Sequence, residues 1–292
     1  MSGFRIGVPP NASVKSAEGN IASAISMPRQ VDKYIQEEVR VGNLVQSLDS
    51  LTYTSPIGLI PKKHRPGKFR MIVDLSSPAG SSINDAINPN HTSFQYVMVR
   101  QVAERVPQGW FLTKLDLKSA YRKVPIHPSD SHWLGISWRG ITYQNRALPF
   151  GLSSAPITFT AVAGGLAWAM ICSGIHRLAH YLDNFIFWAP NVSSGLRDLS
   201  SVVELAARLG LPVEPSKVEG PSTTLTFLGI EIDTVSRELR LPRDKLLRLK
   251  EIIEEWRVKA TKKSSETKHQ LDVLATDTCQ VGAQTGFSLY EA

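Results

Sequence analysis

Two apolar runs on either side of an acidic residue limit the folds open to this chain. The runs RLAHYL and FIFWA have the length and composition of β-strands, and Asp183 and Asn184 join them. Because Asp and Asn tolerate the positive φ of tight turns, the pattern predicts an antiparallel hairpin that turns at these two residues. Its acidic tip is either an ordinary turn residue or a metal ligand, and this stretch alone leaves both open.

Apolar spacing along the rest of the chain predicts helices and strands in mixed order. Helical spacing predicts a long buried helix after Pro156 and three further helices, at residues 28–41, 199–209 and 246–256. Short apolar runs predict strands or hairpins at residues 57–75, 110–117, 135–150 and 213–233. In the last of these, VEPSKVEG is expected to pair with LTFLGIEID. The mixture predicts an α/β fold of the α+β type.

The two ends of the chain lack such patterns. Residues 1–27 are rich in Ser, Gly, Asn and Ala, which predicts a disordered arm. From Lys259 onward no helical or strand period is sustained and aromatic residues are few, so residues 259–292 are expected to be poorly ordered. This abrupt loss of pattern is what a shifted reading frame would produce.

The amino-acid composition indicates the class of binding partner and the cellular location. Lysine plus arginine number 33 against 26 acidic residues, a net charge of +7 that favours a polyanionic partner such as nucleic acid. Cys172 and Cys279 are too few and too far apart for a disulfide framework or a zinc knuckle, which indicates an intracellular location, cytoplasmic or nuclear. No secretory leader and no run near the roughly 20 apolar residues of a membrane span is seen, so no membrane is expected.

Three further segments carry residues suited to binding a metal, a phosphate or a nucleotide. Each segment also has an ordinary structural explanation. Asp116 ends the apolar run WFLTKLDL either as a metal ligand or as a helix N-cap. The tip KKHRPGKFR gathers five cations in nine residues, either as a solvated hairpin end or as a phosphate clamp. Gly151 in LPFGLSSAP either lets a nucleotide or template approach the backbone or forms a plain strand-to-helix turn.

Taken in order, these segments resemble one protein family. Retrotransposon reverse transcriptases have fingers, palm and primer-grip motifs similar to six segments of residues 55–256, namely LIPKKHRPGKFRMIVDL, LTKLDLKSAYRKVPI, LPFGLSSAPITF, YLDNF, GLPVEPSKVEG and LTFLGIEID. Within that superfamily, SSPAGSSIND and LPFGLSSAP most resemble DIRS-type elements, which carry tyrosine recombinases, with Gypsy-type LTR elements close. The resemblance implies a right-hand polymerase fold whose antiparallel palm sheet is backed by helices. Fingers and palm would occupy residues 28–241, and a partial thumb helix residues 242–258.

The resemblance also implies a catalytic set in the palm. Asp116 and Asp183 match the two palm carboxylates that hold two Mg²⁺ or Mn²⁺ ions, which bridge the primer 3′-hydroxyl and the incoming nucleotide. The Leu117 carbonyl would complete the ligand set. Lys217 matches a lysine that helps pyrophosphate leave, and a solvent-exposed lysine in a turn is the alternative.

Further matches concern the nucleotide and the primer. Lys63 and Arg70 match finger cations that grip the triphosphate. Tyr121 matches the aromatic residue that blocks a ribose 2′-hydroxyl, which implies deoxynucleoside triphosphates (dNTPs) as substrates, and a core tyrosine is the alternative. The remaining matches are the turn that faces template and nucleotide, Phe150 and Gly151, and the primer grip, Phe227, Leu228 and Gly229. A plain hairpin is the alternative for the primer grip.

One residue departs from the family pattern. Where most of the family has a second aspartate after Asp183, this chain has Asn184, which keeps an oxygen ligand but removes one negative charge. One hypothesis is an RNA-directed DNA polymerase domain that acts on template-primer nucleic acid, with RNase H and integration functions elsewhere in the parent element. The second is an inactive, truncated remnant that retains at most nucleic-acid binding. The third, an unrelated basic binding protein, predicts that Asp116 and Asp183 lie far apart.

Overall fold

The computed structural model describes residues 3–48, 52–61, 67, 69–92 and 96–259, which form α-helices and antiparallel strands. The helices are α1 (Ala22–Ser26), α2 (Pro28–Arg40), α3 (Ile83–Ala86), α4 (Val99–Arg105), α5 (Ala155–Cys172), α6 (Val192–Arg208) and α7 (Arg243–Lys259). The strands are β1 (Leu44–Gln46), β2 (Ile57–Pro61), β3 (Phe69–Val73), β4 (Phe111–Asp116), β5 (Gly135–Trp138), β6 (Ile141–Asn145), β7 (Leu178–Tyr181), β8 (Asn184–Ala189), β9 (Glu219–Ser222), β10 (Thr224–Phe227), β11 (Ile230–Asp233) and β12 (Glu238–Arg240). The predicted poorly ordered tail, from residue 260 onward, and Lys63 lie outside the described residues.

The chain divides into two compact units, and the second, residues 95–118 with 165–292, is built on a four-stranded sheet. Its strand order is β7, β8, β4, β9, and all neighbours are antiparallel. The two central strands are mostly apolar and buried, as expected of strands that are covered on both faces. The strand that the sequence predicts at residues 110–117 is confirmed.

Helix α6 and an apolar cluster cover the two faces of this sheet. α6 packs on β4, β8 and β9 through the buried residues Gly195, Val202 and Ala206. Gly195 allows the close approach, because a Cβ there would lie 2.8 Å from Pro221 Cγ. The other face is covered by α4 and by the sheet of β10, β11 and β12, which share one buried cluster with the four-stranded sheet. Its members are Val99, Val102, Val106, Leu112, Ala179, Ile186, Trp188, Leu225, Phe227, Ile230 and Ile232.

The pairing predicted between VEPSKVEG and LTFLGIEID is wrong. β9 pairs instead with β4, where Leu112 lies opposite Ser222. LTFLGIEID folds back on itself as the hairpin of β10 and β11, to which β12 adds a third strand. The physical reason is a two-residue turn: Leu228 and Gly229 both have positive φ, 49° and 83°, which joins two antiparallel strands directly.

The first unit, residues 1–94 with 119–164, contains two small sheets. β2 and β3 form the hairpin predicted over residues 57–75, and β6 lies between β1 and β5 in the other sheet. α2 confirms the helix predicted from Pro28, and it buries Val31 and Ile35 one turn apart. The segment around residues 135–150 is confirmed as a β-hairpin that turns at Gly140.

Part of the N-terminal stretch differs from the disordered arm that the sequence predicts. Ile6 and Val8 are buried in the first unit. Ile6 N donates to Asp130 Oδ2 at 2.9 Å, and Ile6 O accepts from Ser154 Oγ at 2.7 Å. A polar composition does not reveal this, because a few apolar residues are enough when the surface that buries them comes from elsewhere in the chain.

A buried ion pair joins distant segments of the first unit. Arg122 is 8% exposed, and its guanidinium donates to Glu38 Oε2 on α2 at 2.8 and 2.5 Å. Further hydrogen bonds of 2.9 Å run to Asn145 Oδ1 and to Ala147 O. Because a buried charge is costly unless it is paired, this network is a point where one substitution should have a large effect.

The long apolar helix α5 confirms the helix predicted after Pro156. By length and composition alone, α5 is the one described helix that could cross a membrane. Core helices meet the same criterion, and α5 carries the fully buried side chains of Phe159, Ala163 and Met170. One face of α5 is therefore part of the core, while Trp168 and Ile171 on the same helix are exposed.

Candidate active site

The pairing of β4 with β8 brings the acidic residues of two sequence motifs to one end of a sheet. Asp116, the last residue of β4, lies opposite Asn184, the first residue of β8. Leu117 N donates to Asp183 O at 2.9 Å, which extends the pairing one step beyond the strands. Asp116 and Asp183 are therefore neighbours, and the hypothesis of an unrelated basic protein, which needs them far apart, is wrong.

The hairpin of β7 and β8 turns one residue earlier than the sequence predicts. Leu182 and Asp183 form the turn, and Asn184 already pairs with Tyr181. Leu182 has a φ of 51°, in the left-handed region that a branched aliphatic residue rarely adopts, at a cost of roughly 1–3 kcal/mol. The strand pairing on both sides holds this conformation and fixes Asp183 at the tip.

The electrostatics of the cluster centre on Asp183. Burial, and after it the nearby charge of Asp116, raise the pKa of the Asp183 carboxyl above its usual value. The Lys217 ammonium acts in the opposite direction, as does Asn184, whose Nδ2 donates to Asp183 Oδ1 at 3.1 Å. Two mutually repelling carboxylates form a site that a dication would stabilise.

Lys217 forms an ion pair with Asp116. It ends a short 3₁₀ turn, Pro215–Lys217, and its Nζ donates to Asp116 Oδ2. The turn is fixed to the end of β4 because Glu214 N donates to Asp116 O at 2.9 Å. The Lys217 side chain is 53% exposed and that of Asp116 11%, so a half-exposed ammonium reaches a largely buried carboxylate.

The oxygen donors at this sheet end fit a hard dication. Mg²⁺ typically binds one or two protein carboxylates and completes its octahedron with water and substrate phosphates. Asp116 and Asp183 supply the carboxylates, and the Asn184 amide and Leu117 carbonyl lie at the same strand ends. Across the described ranges no group of three or more His, Cys, Asp or Glu side chains could hold a metal, so a site there depends on ligands from substrate and water.

Residues matched to nucleotide binding lie in the first unit, where three of them form a cluster. The Tyr121 ring centroid lies 5.6 Å from that of Phe150 and 5.3 Å from that of Phe159. The Arg70 guanidinium lies 5.2 Å from the Phe150 ring centroid, within cation–π range. Phe150 therefore links the matched cation to the matched tyrosine.

Gly151 occupies a position that only glycine fits. Its φ is 98°, and a Cβ there would lie 2.5 Å from Val73 O. Asn84 Nδ2 also donates to Gly151 O at 2.9 Å. The close neighbour of Gly151 in this structure is the protein's own backbone, and the approach of a nucleotide or template stays a prediction.

The segment matched to the primer grip is the turn between β10 and β11. The Phe227 side chain is 1% exposed and belongs to the buried cluster. Leu228 and Gly229 form the turn itself. A ligand at this turn would therefore meet the turn backbone rather than the Phe227 ring.

Sequence patterns did not single out Lys114, which lies two residues before Asp116 in β4. Its Nζ donates to Thr226 O at 2.7 Å and pairs with Glu219 Oε1 at 2.9 Å. A lysine inside an otherwise apolar strand is the signal that could have found it, because a partly buried ammonium needs partners.

Comparisons with known sequences point to one family. The family model described as "Reverse transcriptase (RNA-dependent DNA polymerase)" matches residues 60–232. Among curated proteins, the transposon Tf2-7 and Tf2-3 polyproteins of Schizosaccharomyces pombe are each 24% identical to this chain, over 177 and 182 residues and 61% of its length. The chain spans only 12% of the length of these relatives.

Comparisons with solved structures point to the same fold. The foamy viral protease-reverse transcriptase in complex with an RNA/DNA hybrid has a TM-score of 0.68 at 20% identity, over 86% of this chain and 32% of that chain. The dRH form in complex with double-stranded DNA has a TM-score of 0.69 at 18% identity, over 98% and 52% of the two chains. The right-hand polymerase fold that the sequence predicts is confirmed.

Proposed function

Because the chain belongs to the reverse transcriptase family, we propose that it is the RNA-directed DNA polymerase domain of a retrotransposon. The reaction is transfer of a deoxynucleotide to a primer 3′-hydroxyl, directed by a template. The observation that carries the proposal is the register of β4 and β8, which sets Asp116 opposite Asn184 with Asp183 beside them in the turn.

The cluster around Asp116 has the groups that this reaction needs. Asp116 and Asp183, with the Asn184 amide and the Leu117 carbonyl, would hold divalent ions, Mg²⁺ or Mn²⁺. When bound, such ions activate the primer hydroxyl and neutralise charge that develops on the phosphates. The Lys217 ammonium donates a proton or a hydrogen bond to the departing pyrophosphate, and its ion pair with Asp116 keeps it at the strand end beforehand.

The proposed partners are a template-primer duplex and dNTPs. The net charge of +7 supports a polyanionic partner. Two related solved structures are complexes with an RNA/DNA hybrid and with double-stranded DNA, which supports a duplex for this chain as well. We further propose an intracellular, cytoplasmic or nuclear location, and RNase H and integration functions elsewhere in the parent element.

Among retrotransposons we propose a DIRS-type element. The support is the sequence of two segments, SSPAGSSIND at residues 76–85 and LPFGLSSAP at residues 148–156. Gypsy-type LTR elements are the alternative. A gene for a tyrosine recombinase next to this reading frame would support the DIRS-type proposal, and flanking long terminal repeats would contradict it.

The proposed activity is tested by primer extension with purified protein, RNA and DNA templates, dNTPs and either Mg²⁺ or Mn²⁺. We expect extension that requires the template and a divalent ion and that stops when a chelator is added. Absence of extension with either ion, from protein that still binds the duplex, would contradict the proposal.

An inactive remnant is the second candidate, and Asn184 is the observation that favours it. At this position the amide nitrogen donates to Asp183 Oδ1 at 3.1 Å, where a carboxylate would add negative charge. A site that gathers dications is weakened by the loss of one charge. The remnant would retain at most nucleic-acid binding.

Asn184→Asp separates the two candidates. For an active polymerase, we expect this substitution to lower the Mg²⁺ concentration for half-maximal extension by about tenfold, because one charge is added beside the ligands. The control is Asn90→Asp, which adds the same charge at an exposed position of the first unit and should change nothing. A wild-type chain that is inactive with both ions, together with a gain of extension in Asn184→Asp, would establish the remnant.

Tyr121→Val tests the substrate class. We expect the ratio of kcat/KM for a dNTP to kcat/KM for the matching ribonucleotide to fall by at least about tenfold, because the ring that excludes the 2′-hydroxyl is gone. Tyr121→Phe keeps the ring next to Phe150 and Phe159 and should keep the ratio. An unchanged ratio in Tyr121→Val, with a lower Tm, would instead identify Tyr121 as a core residue.

A further inference from the structure

A partly buried lysine in the central strand joins three segments of the second unit. The Lys114 side chain is 18% exposed, and its Nζ contacts Thr226 O at 2.7 Å and Glu219 Oε1 at 2.9 Å. Burial of an ammonium is unfavourable unless hydrogen bonds and an opposite charge compensate it. These two contacts therefore fix where the side chain lies.

Each partner of Lys114 belongs to a segment that the proposed function uses. Thr226 is in β10, two residues before the turn of β10 and β11. Glu219 opens β9, two residues after Lys217. Lys114 itself is two residues before Asp116 in β4. The Lys114 side chain, which starts from the strand that ends at Asp116, thus contacts the strand that follows Lys217 and the strand that leads into the turn matched to the primer grip.

The hydrogen bond from Lys114 to Thr226 O is directional, whereas the contacts within the buried apolar cluster have no preferred direction. The sheet of β10, β11 and β12 is not hydrogen-bonded through its strands to the sheet of β4, and the two share the buried apolar cluster. Apolar packing holds the two surfaces together by shape complementarity, without a preferred bond direction. A charge-assisted hydrogen bond has a preferred length and angle, and it therefore adds a directional restraint between the two sheets.

The position of the Lys114 contact along the hairpin of β10 and β11 decides which end of the hairpin it holds. At the base of the hairpin, beyond β11, Thr234 Oγ1 donates to Trp110 O at 2.7 Å. Lys114 makes the corresponding link at the end nearer the turn. Hydrogen bonds at both ends of the hairpin restrain its orientation, whereas those at the base alone, which include Gly109 N to Thr234 O, restrain the turn less.

We propose that Lys114 is a positioning residue, which sets the turn at residues 228–229 against the Asp116 end of β4 and thereby aligns the primer 3′ end with the acidic cluster. The proposal rests on the proposed function. Lys114 does not touch the reacting atoms. It acts through the Thr226 carbonyl and the backbone of the turn.

The kinetic test compares Lys114→Met, which keeps the length of the side chain and removes the ammonium, with Lys114→Arg, which restores a cation. Because an aligned primer end is needed for reaction, we expect Lys114→Met to raise the KM for template-primer and to lower kcat, by about tenfold in kcat/KM. The KM for dNTP should stay within about twofold, and Lys114→Arg should recover most of the loss. The control is Arg208→Met, which removes a charge from the exposed end of α6 and should leave all constants unchanged.

Two kinetic outcomes would overturn the proposal. One is a Lys114→Met protein whose kcat and template-primer KM equal those of wild type. The other is a loss that Lys114→Arg does not rescue and that follows a lower Tm, since this is what a purely structural role predicts.

Amide hydrogen exchange tests the same link without relying on activity. In Lys114→Met we expect faster exchange at residues 225–232, because the hairpin loses the hydrogen bond to Thr226 O, and unchanged exchange in α6, which packs on the other face of the sheet. Unchanged exchange in the hairpin would overturn the proposal even if activity fell. An inactive wild type would contradict the proposed function alone, and the exchange result would still decide whether Lys114 fixes the hairpin.

Discussion

Asp183→Asn is expected to abolish primer extension and, at the same time, to stabilise the metal-free protein. Loss of one of two carboxylate ligands should lower the extension rate by at least about a hundredfold. The pKa of Asp183 is raised in the folded protein, by burial and then by Asp116, so ionisation of this carboxyl opposes folding. At neutral pH the variant is free of this penalty and should have the higher Tm.

The pH dependence of this gain has a definite sign. In the unfolded chain the carboxyl titrates near its usual value of 3.8, and in the folded protein it titrates higher. The stabilisation by Asp183→Asn should therefore be full above both values, fade as the pH falls from the folded-state value towards 3.8, and be absent below 3.8, where both states are protonated. Thermal unfolding in a chelator, at neutral and at acidic pH, measures it.

The control for this pair of effects is Asp244→Asn, at an exposed position on α7. It removes the same charge and should change neither extension nor the pH dependence of Tm. Wild-type extension by Asp183→Asn would exclude Asp183 as a metal ligand. A lower Tm of the variant at neutral pH would contradict the unfavourable ionisation of Asp183, which comes from burial and then from Asp116.

Arg122→Met is expected to destabilise the first unit by about 3–5 kcal/mol, because it leaves a buried carboxylate without its partner. The Glu38 side chain is 13% exposed and accepts two of the guanidinium hydrogen bonds. Asn145 Oδ1 loses a donor as well. Urea denaturation followed by fluorescence should show a lower midpoint, and the free energy of unfolding follows from it.

A matched control is available on the same helix as Glu38. Arg40 pairs with Glu37 at 2.7 Å, but both side chains are exposed, 71% and 56%. Arg40→Met should therefore cost no more than about 1 kcal/mol. Equal effects of the two substitutions would show that burial of the Arg122 pair does not matter. Replacing Arg122 and Glu38 together by apolar residues should recover part of the loss.

Periodicity and turn chemistry predicted most elements but not all pairings. The hairpin at Asp183 follows from two apolar runs and a polar joint, yet the turn lies one residue earlier because Leu182 adopts a positive φ that its residue type disfavours. β9 could not be placed from local pattern, since its partner β4 lies about a hundred residues earlier and neighbouring segments looked equally suitable.

The acidic pair was predictable from the sequence, whereas contacts that involve backbone atoms, such as those of Lys114 and Ile6, were not. Asp116 and Asp183 stand out because each lies beside an apolar run, where burial of an unpaired charge is costly, and because both match motifs of one family. Lys114 gains its meaning from Thr226 O, a backbone atom that carries no sequence signal. The backbone of Ile6 is held by the side chains of Asp130 and Ser154, which are too distant in sequence for a local pattern to connect them.

The anchoring of Ile6 has a consequence for synthesis on the ribosome. Its hydrogen-bond partners are 124 and 148 residues further along the chain, so translation must pass residue 154 before this segment can be buried. Until then Ile6 and Val8 stay available to chaperones or to neighbouring nascent chains. Slow elongation across the first unit should therefore lower the yield of native protein more than slow elongation after it.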